Sequence, residues 1–152
     1  MNWDELFIRN ADLVAQKSKD PSTKVGCVIV SQDNVILSTG FNGFARGIQE
    51  EGVPERWERP TKYTWIVHAE ANAVFNAARH GIRLLGAKAY MNYALCPCER
   101  CADALIQAGV TEVIGPSRLF PGKGVGAHYD LDLAGQKFAE AGVVSRTVCV
   151  DL

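Results

Sequence analysis

His68-Ala69-Glu70 and Pro97-Cys98-Glu99-Arg100-Cys101 each open a segment of helical periodicity, and one strand-like run, Lys88 to Tyr93, lies between them. A fold that lets these side chains work together must bring two helix N-termini to one point. Residues three apart on a helix share a face, so Cys98 and Cys101 can address a single atom, and the positive end of the helix dipole favours their thiolates. His68 and Glu70 are two apart, about 200° around an ideal helix. They converge only on an object beyond the helix end, near its axis, and a metal ion meets that requirement.

Ligand counting separates a structural metal from a catalytic one. Structural zinc normally has four protein ligands, whereas catalytic zinc keeps three and leaves a position for water. His68, Cys98 and Cys101 make three. One alternative is that Cys96 supplies a fourth and closes the site, but Cys96 sits on the far side of Pro97 and Glu70 would then lack a task. A second alternative is that His68 merely satisfies a polar contact and Glu70 is a solvated first-turn acid. An isolated His-x-Glu merits that reading; joined to Pro-Cys-x-x-Cys across one strand, the pair becomes specific. On the metal reading, zinc supplies hydroxide near neutral pH, and Glu70, which is not a ligand, carries the proton.

Bulk properties bound the rest. A chain of 152 residues with 47% hydrophobic content predicts a single domain, 1–152, with a core that needs no disulfide staples. The start Asn2-Trp3-Asp4-Glu5 lacks a signal-peptide pattern, and no apolar run reaches the roughly 20 residues that span a bilayer. The expectation is a cytoplasmic protein with no membrane partner. In a reducing compartment the five cysteines are poor disulfide candidates. Cys27 and Cys149, in apolar strand-like runs, read as small buried hydrophobes. A net charge of −1 leaves no footprint for a polyanion, which favours a small substrate over nucleic acid.

Along the chain, Trp3 to Lys17 carries Trp3, Leu6, Phe7, Asn10, Leu13 and Val14 at helical spacing, with Asn2 and Glu5 placed as an approximate capping box. Val25 to Val30 and Val35 to Ser38 predict a hairpin. Residues 41 to 64 show no sustained period and form a loop long enough to suggest a site wall. Helices are expected from about Ala69 to His80 (with His80 as a C-terminal cap), from Cys98 to Gln107 and from Leu131 to Ala141. Strands follow at Lys88 to Tyr93, Val110 to Ile114 and Val143 to Val150. The order αββαβαβα followed by β predicts an α/β fold, a mixed five-stranded sheet with helices on both faces in three layers, with parallel pairing where strands flank a helix.

With these motifs the sequence resembles the cytidine and deoxycytidylate deaminase family over nearly its whole length. Asp20-Pro21-Ser22-Thr23-Lys24-Val25-Gly26, Gly40-Phe41-Asn42-Gly43, Lys62-Tyr63 and Ile106-Gln107-Ala108-Gly109 point to the deoxycytidylate branch. The resemblance implies a cytidine-deaminase-like fold and hydrolysis of deoxycytidine monophosphate to deoxyuridine monophosphate and ammonia, feeding thymidylate synthesis. It also implies a homohexamer and regulation by dCTP and dTTP, with Mg2+ accompanying the triphosphate. By the same resemblance Asn42 contacts the sugar, the backbone at Ala69 and Cys96 touches the base, and Tyr129 stacks on it. Phosphate is left to choose among Ser22, Thr23, Lys24 and Arg46, with Ser22 and Lys24 preferred. The turn from Gly40 to Gly43 (Gly40, Phe41, Asn42, Gly43) serves either substrate or a regulatory nucleotide. Plain roles stand beside these: Asn42 as a turn former, Tyr129 as an apolar anchor, Lys24 as a solvated residue at a strand edge. Cys96 departs from the hydroxyl or large apolar residue usual before the proline, and His128, beside Tyr129 at the end of a loop, is a candidate ligand contact whose role the sequence leaves open. A deaminase of a free base or nucleoside, and a non-catalytic nucleotide sensor, are the competing functions.

Overall fold

The computed structural model describes residues 1–93, 97–117 and 131–152. Its elements are α1 (Trp3–Ala15), β1 (Gly26–Val30), β2 (Ile36–Phe41), β3 (Gly43–Phe44), a 3-10 turn (Pro54–Trp57), α2 (Lys62–Trp65), β4 (Ile66–Val67), α3 (Ala69–Arg79), β5 (Lys88–Met91), α4 (Glu99–Gln107), β6 (Glu112–Pro116), α5 (Leu131–Ala141) and β7 (Val144–Val148). The described residues form a five-stranded sheet in the order β2-β1-β5-β6-β7 and a separate two-stranded ribbon of β3 and β4. β1 runs antiparallel to β2 and β5, whereas β5, β6 and β7 are parallel, each reached through a helix.

Strand alternation sorts the core into two layers. Val28, Val30, Tyr90 and Ile114 face α1 and pack on Phe7, Ile8 and Ala11. Cys27, Ile29, Ala89, Met91 and Val113 face the other way, toward Ala69, Ala73 and Ala77 of α3, Ala102 and Leu105 of α4, and Phe138 of α5. Buried on both faces, β1 reads as a continuous apolar run. Helices therefore lie on both faces of a mixed five-stranded sheet, the expected three layers. No helix among the described residues is long and apolar enough to cross a membrane.

Several local expectations are corrected. The predicted apolar stripe of α1 is rotated: Trp3 is 56% and Leu13 70% exposed, while Phe7, Ile8, Ala11 and Ala15 are buried. Ala11 and Ala15 sit where the sheet comes too close for larger side chains; a Cβ on Gly26 would stand 2.0 Å from the Ala11 carbonyl oxygen and 2.8 Å from the Ala15 nitrogen. Asn2 caps α1 by accepting from the Glu5 amide at 2.8 Å, but the Glu5 carboxylate pairs with Arg9. Gly40 and Phe41 belong to strand β2, opposite Cys27 and Gly26, so the chain turns only after them. Cys149 is exposed, lying just beyond edge strand β7, while Cys27 is fully buried. The 41–64 segment also carries structure that its polar sequence hides: Phe44 stacks on Trp57 at 4.1 Å, and Arg56 lies over the Trp65 ring at 4.0 Å.

Candidate metal centre

His68 and Cys98 are the N-cap residues of α3 and α4, both in extended backbone. From these positions their side chains turn toward each other. Cys98 Sγ lies 3.4 Å and Cys101 Sγ 3.5 Å from His68 Nδ1, and the three donor atoms lie within 4.8 Å of one another. Tetrahedral zinc, with Zn–S of about 2.3 Å and Zn–N of about 2.05 Å, separates sulfur and nitrogen ligands by about 3.6 Å. The observed spacing fits that geometry, and one imidazole with two thiolates is a donor set suited to zinc.

Both sulfurs are buried and His68 is half-buried. The Cys101 thiol bonds to Cys98 and, against the cost of burial and with help from His68, holds Cys98 down to about 4. Cys101 is pushed up by that same neighbour and by burial. Glu70, one position into α3 beyond Ala69, is 3% exposed; burial raises its carboxyl, opposed by the charge of His68. A cleft of about 340 Å³ opens onto the cluster, lined by Tyr63, Ile66, Val67, His68, Cys98 and Arg100 among others.

A profile of the cytidine and deoxycytidylate deaminase zinc-binding region matches residues 1–115. The chain belongs to this family. Human deoxycytidylate deaminase is 40% identical over 120 residues, which cover 75% of this chain and 64% of that protein. The mouse enzyme is 41% identical over the same span, so this chain covers about 64% of the length of these curated relatives. An uncharacterized deaminase of Aliivibrio fischeri is 39% identical over 116 residues, 76% of this chain and 74% of its own. Among solved structures, the dCMP deaminase of cyanophage S-TIM5 in complex with dCMP and dUMP matches 95% of each chain with a TM-score of 0.71 at 23% identity, a likeness of fold.

Around this family's metal region the other sequence-predicted residues fall into separate places. Ala69 is fully buried at the first position of α3. Asn42 is buried, and its amide accepts from the Val25 N–H at 2.8 Å and donates to Asp20 Oδ2 and the Thr23 carbonyl. It thereby holds its own corner. The Ser22 hydroxyl donates to Asp20 Oδ1 and accepts from Lys62 Nζ, and Thr23 is buried. Lys24 is exposed. Arg46 donates to Asn76 of α3 at 2.6 Å and, with Phe41 and Gly43, lines a second hollow of about 300 Å³. Gly40 packs under α3, where a Cβ would meet the Ala69 carbonyl oxygen at 2.2 Å. His80 is the C-cap of α3. Cys96, His128 and Tyr129 lie outside the described residues. Sequence reasoning missed the buried ion pair of Asp20 with Lys62, although both residues stood in quoted motifs; a lysine among polar neighbours gives no sign of burial.

Proposed function

We propose that this chain catalyses zinc-dependent hydrolytic deamination of deoxycytidine monophosphate, releasing deoxyuridine monophosphate and ammonia. The observation that carries the reading is the convergence of His68 Nδ1, Cys98 Sγ and Cys101 Sγ at two helix N-termini, with the buried acid Glu70 beside them. His68, Cys98 and Cys101 hold the zinc, whose bound chemistry is to make water nucleophilic near neutral pH. Glu70 takes one proton of the attacking water at a carboxylate oxygen and delivers it to the pyrimidine ring nitrogen, then takes the second proton from the oxygen of that water and gives it to the departing ammonia. A carboxyl raised by burial suits a group that must hold a proton part-way through a turnover. On this reading the N–H of Ala69, at a helix start where no intrahelical acceptor exists, donates to the base; by the family resemblance the backbone at Cys96 also contacts the base and Tyr129 stacks on it. Asn42 contacts the sugar, and the exposed Lys24 with Ser22 meets the phosphate.

Kinship supports the nucleotide as substrate: the human and mouse relatives are deoxycytidylate deaminases, and the cyanophage protein of like fold was solved with dCMP and dUMP. The same kinship extends the reading to a cytoplasmic homohexamer of single domains, 1–152, that supplies deoxyuridylate for thymidylate synthesis. dCTP and dTTP, with Mg2+, act as effectors, and the hollow beside Phe41 and Gly43 is the place for them. The test is ammonia release by the zinc-loaded protein from deoxycytidine monophosphate, deoxycytidine and cytidine monophosphate in parallel, with and without dCTP and Mg2+. Preference for the deoxynucleotide supports the reading. Faster release from deoxycytidine moves it to a nucleoside deaminase, and no release from any of the three sends it to another heterocycle or a sensing role.

A further inference from the structure

A buried ion pair is weak evidence for stability, because replacing both charges with apolar side chains is often neutral or stabilising. Lys62 and Asp20 are 4% and 1% exposed, so their burial calls for a geometric reason. Asp20 Oδ1 accepts from the Ser22 N–H, the Ser22 hydroxyl and the Thr23 N–H at 2.9, 2.9 and 3.1 Å. Oδ2 accepts from Asn42 Nδ2 at 3.3 Å and from Lys62 Nζ at 2.8 Å. The same ammonium donates to Ser22 Oγ at 2.8 Å. One carboxylate and one ammonium thus tie together the loop after α1, the corner before β3 and the first residue of α2.

That placement has a lever behind it. Asn42 immediately precedes β3, and Lys62 begins the short α2 that runs into β4. β3 and β4 pair with each other, Gly43 opposite Val67 and Phe44 opposite Ile66, and the residue after Val67 is His68. The roots of both ribbon strands therefore meet at Asp20, and the ribbon delivers the imidazole to the two sulfurs. We infer that Lys62 is a positioning residue: clamped on Asp20 and Ser22, it sets the β3–β4 ribbon so that His68 reaches Cys98 and Cys101. This inference rests on the metal-site reading above. The Ser22 hydroxyl, which donates its single proton to Asp20 and accepts from Lys62, is part of the clamp.

The experiment compares Lys62→Met, Ser22→Ala and, as a remote control, Arg146→Met. Zinc affinity is measured by competition with a chromophoric chelator, folding by circular dichroism and thermal midpoint, and turnover by kcat and KM for deoxycytidine monophosphate. Partners that orient metal ligands typically contribute 10–100-fold. Lys62→Met is expected to weaken zinc binding by about 10-fold or more and to lower kcat, Ser22→Ala to act in the same direction by a smaller factor, and Arg146→Met to leave zinc affinity unchanged. If Lys62→Met does not fold, Ser22→Ala decides. Zinc affinity and kcat within twofold of the parent in every folded variant, with only the thermal midpoint lowered, would overturn the inference. If the parent releases no ammonia from deoxycytidine monophosphate yet Lys62→Met still loses zinc affinity, the substrate reading fails and the positioning role stands.

Discussion

The helices α1 and α3 cross opposite faces of the sheet with different side chains: α1 buries Phe7 and Ile8 beside its alanines, whereas the apolar residues that α3 buries are all alanine. On the α1 face large side chains interlock: Phe7 and Tyr90 have ring centroids 5.1 Å apart, Ile8 is fully buried, and the Tyr90 hydroxyl donates to Asp4 at 2.8 Å. On the α3 face the helix offers Ala69, Ala73 and Ala77, and its buried acid is Glu70. Each face also has one glycine pressed by helix backbone, Gly26 under α1 and Gly40 under α3. Large side chains fasten a layer, whereas alanine over glycine gives little apolar area but allows close approach. Close approach is what brings the starts of α3 and α4 together, so the α1 face should carry stability and the α3 face should carry chemistry.

The sharpest test of that division is Glu70→Gln. A positioned acid–base group contributes about 10²–10⁴-fold, so kcat should fall by that factor while zinc stays bound and the thermal midpoint holds or rises, a buried carboxyl having been neutralised. Turnover near the parent rate would remove Glu70 from the mechanism. The counterpart on the other face is Ile8→Ala, expected to cost about 2–5 kcal/mol in urea unfolding while kcat of the folded protein and its zinc affinity do not move. A large drop in kcat from Ile8→Ala would dissolve the distinction between the faces.

Next in size come the glycines. Gly40→Ala and Gly26→Ala both force a methyl group against helix backbone, and overpacking of this kind costs about 1–3 kcal/mol or more. The two should be alike in stability and unlike in function: only Gly40→Ala displaces α3, and with it His68, so only that variant should weaken zinc binding in a chelator competition. Equal zinc affinities would mean that α3 relaxes without moving its N-terminus.

Legibility in the sequence follows the same physics. Helix ends could be read because Gly81, Gly109 and Gly142 sit where the backbone takes φ of +67°, +87° and +72°, conformations other residues avoid. The convergence of His68, Cys98 and Cys101 could be expected because spacing on a helix fixes direction. The buried stripe of α1 could not, since Ala11 and Ala15 give a weaker periodic signal than the exposed Trp3 and Leu13. Nor could the β3–β4 ribbon, because two-residue strands have no period to detect, and nothing local in Thr61-Lys62-Tyr63 announces a buried ammonium whose carboxylate lies 42 residues away.

The smallest effect belongs to the other charged cluster, and it separates a fastener from a positioning pair. Arg146 forks onto Asp4 at 2.8 and 3.0 Å and also pairs with Glu112, with side chains 27% and 37% exposed at the Asp4–Arg146 contact. At that exposure the pair is worth at most about 1 kcal/mol, so Arg146→Met should lower the urea midpoint slightly at pH 7. The hydrogen bond from Arg146 outweighs burial and holds the Asp4 carboxyl below its ordinary value of 3.8. A carboxyl depressed in the folded state adds stability that is complete above the unfolded value and is lost as pH falls through the folded one. The gap between parent and Arg146→Met should therefore be constant from pH 7 to about 5 and close below about 4. A gap that persists at low pH would show that Arg146 stabilises through the packing of its stem against the sheet edge and not through its charge.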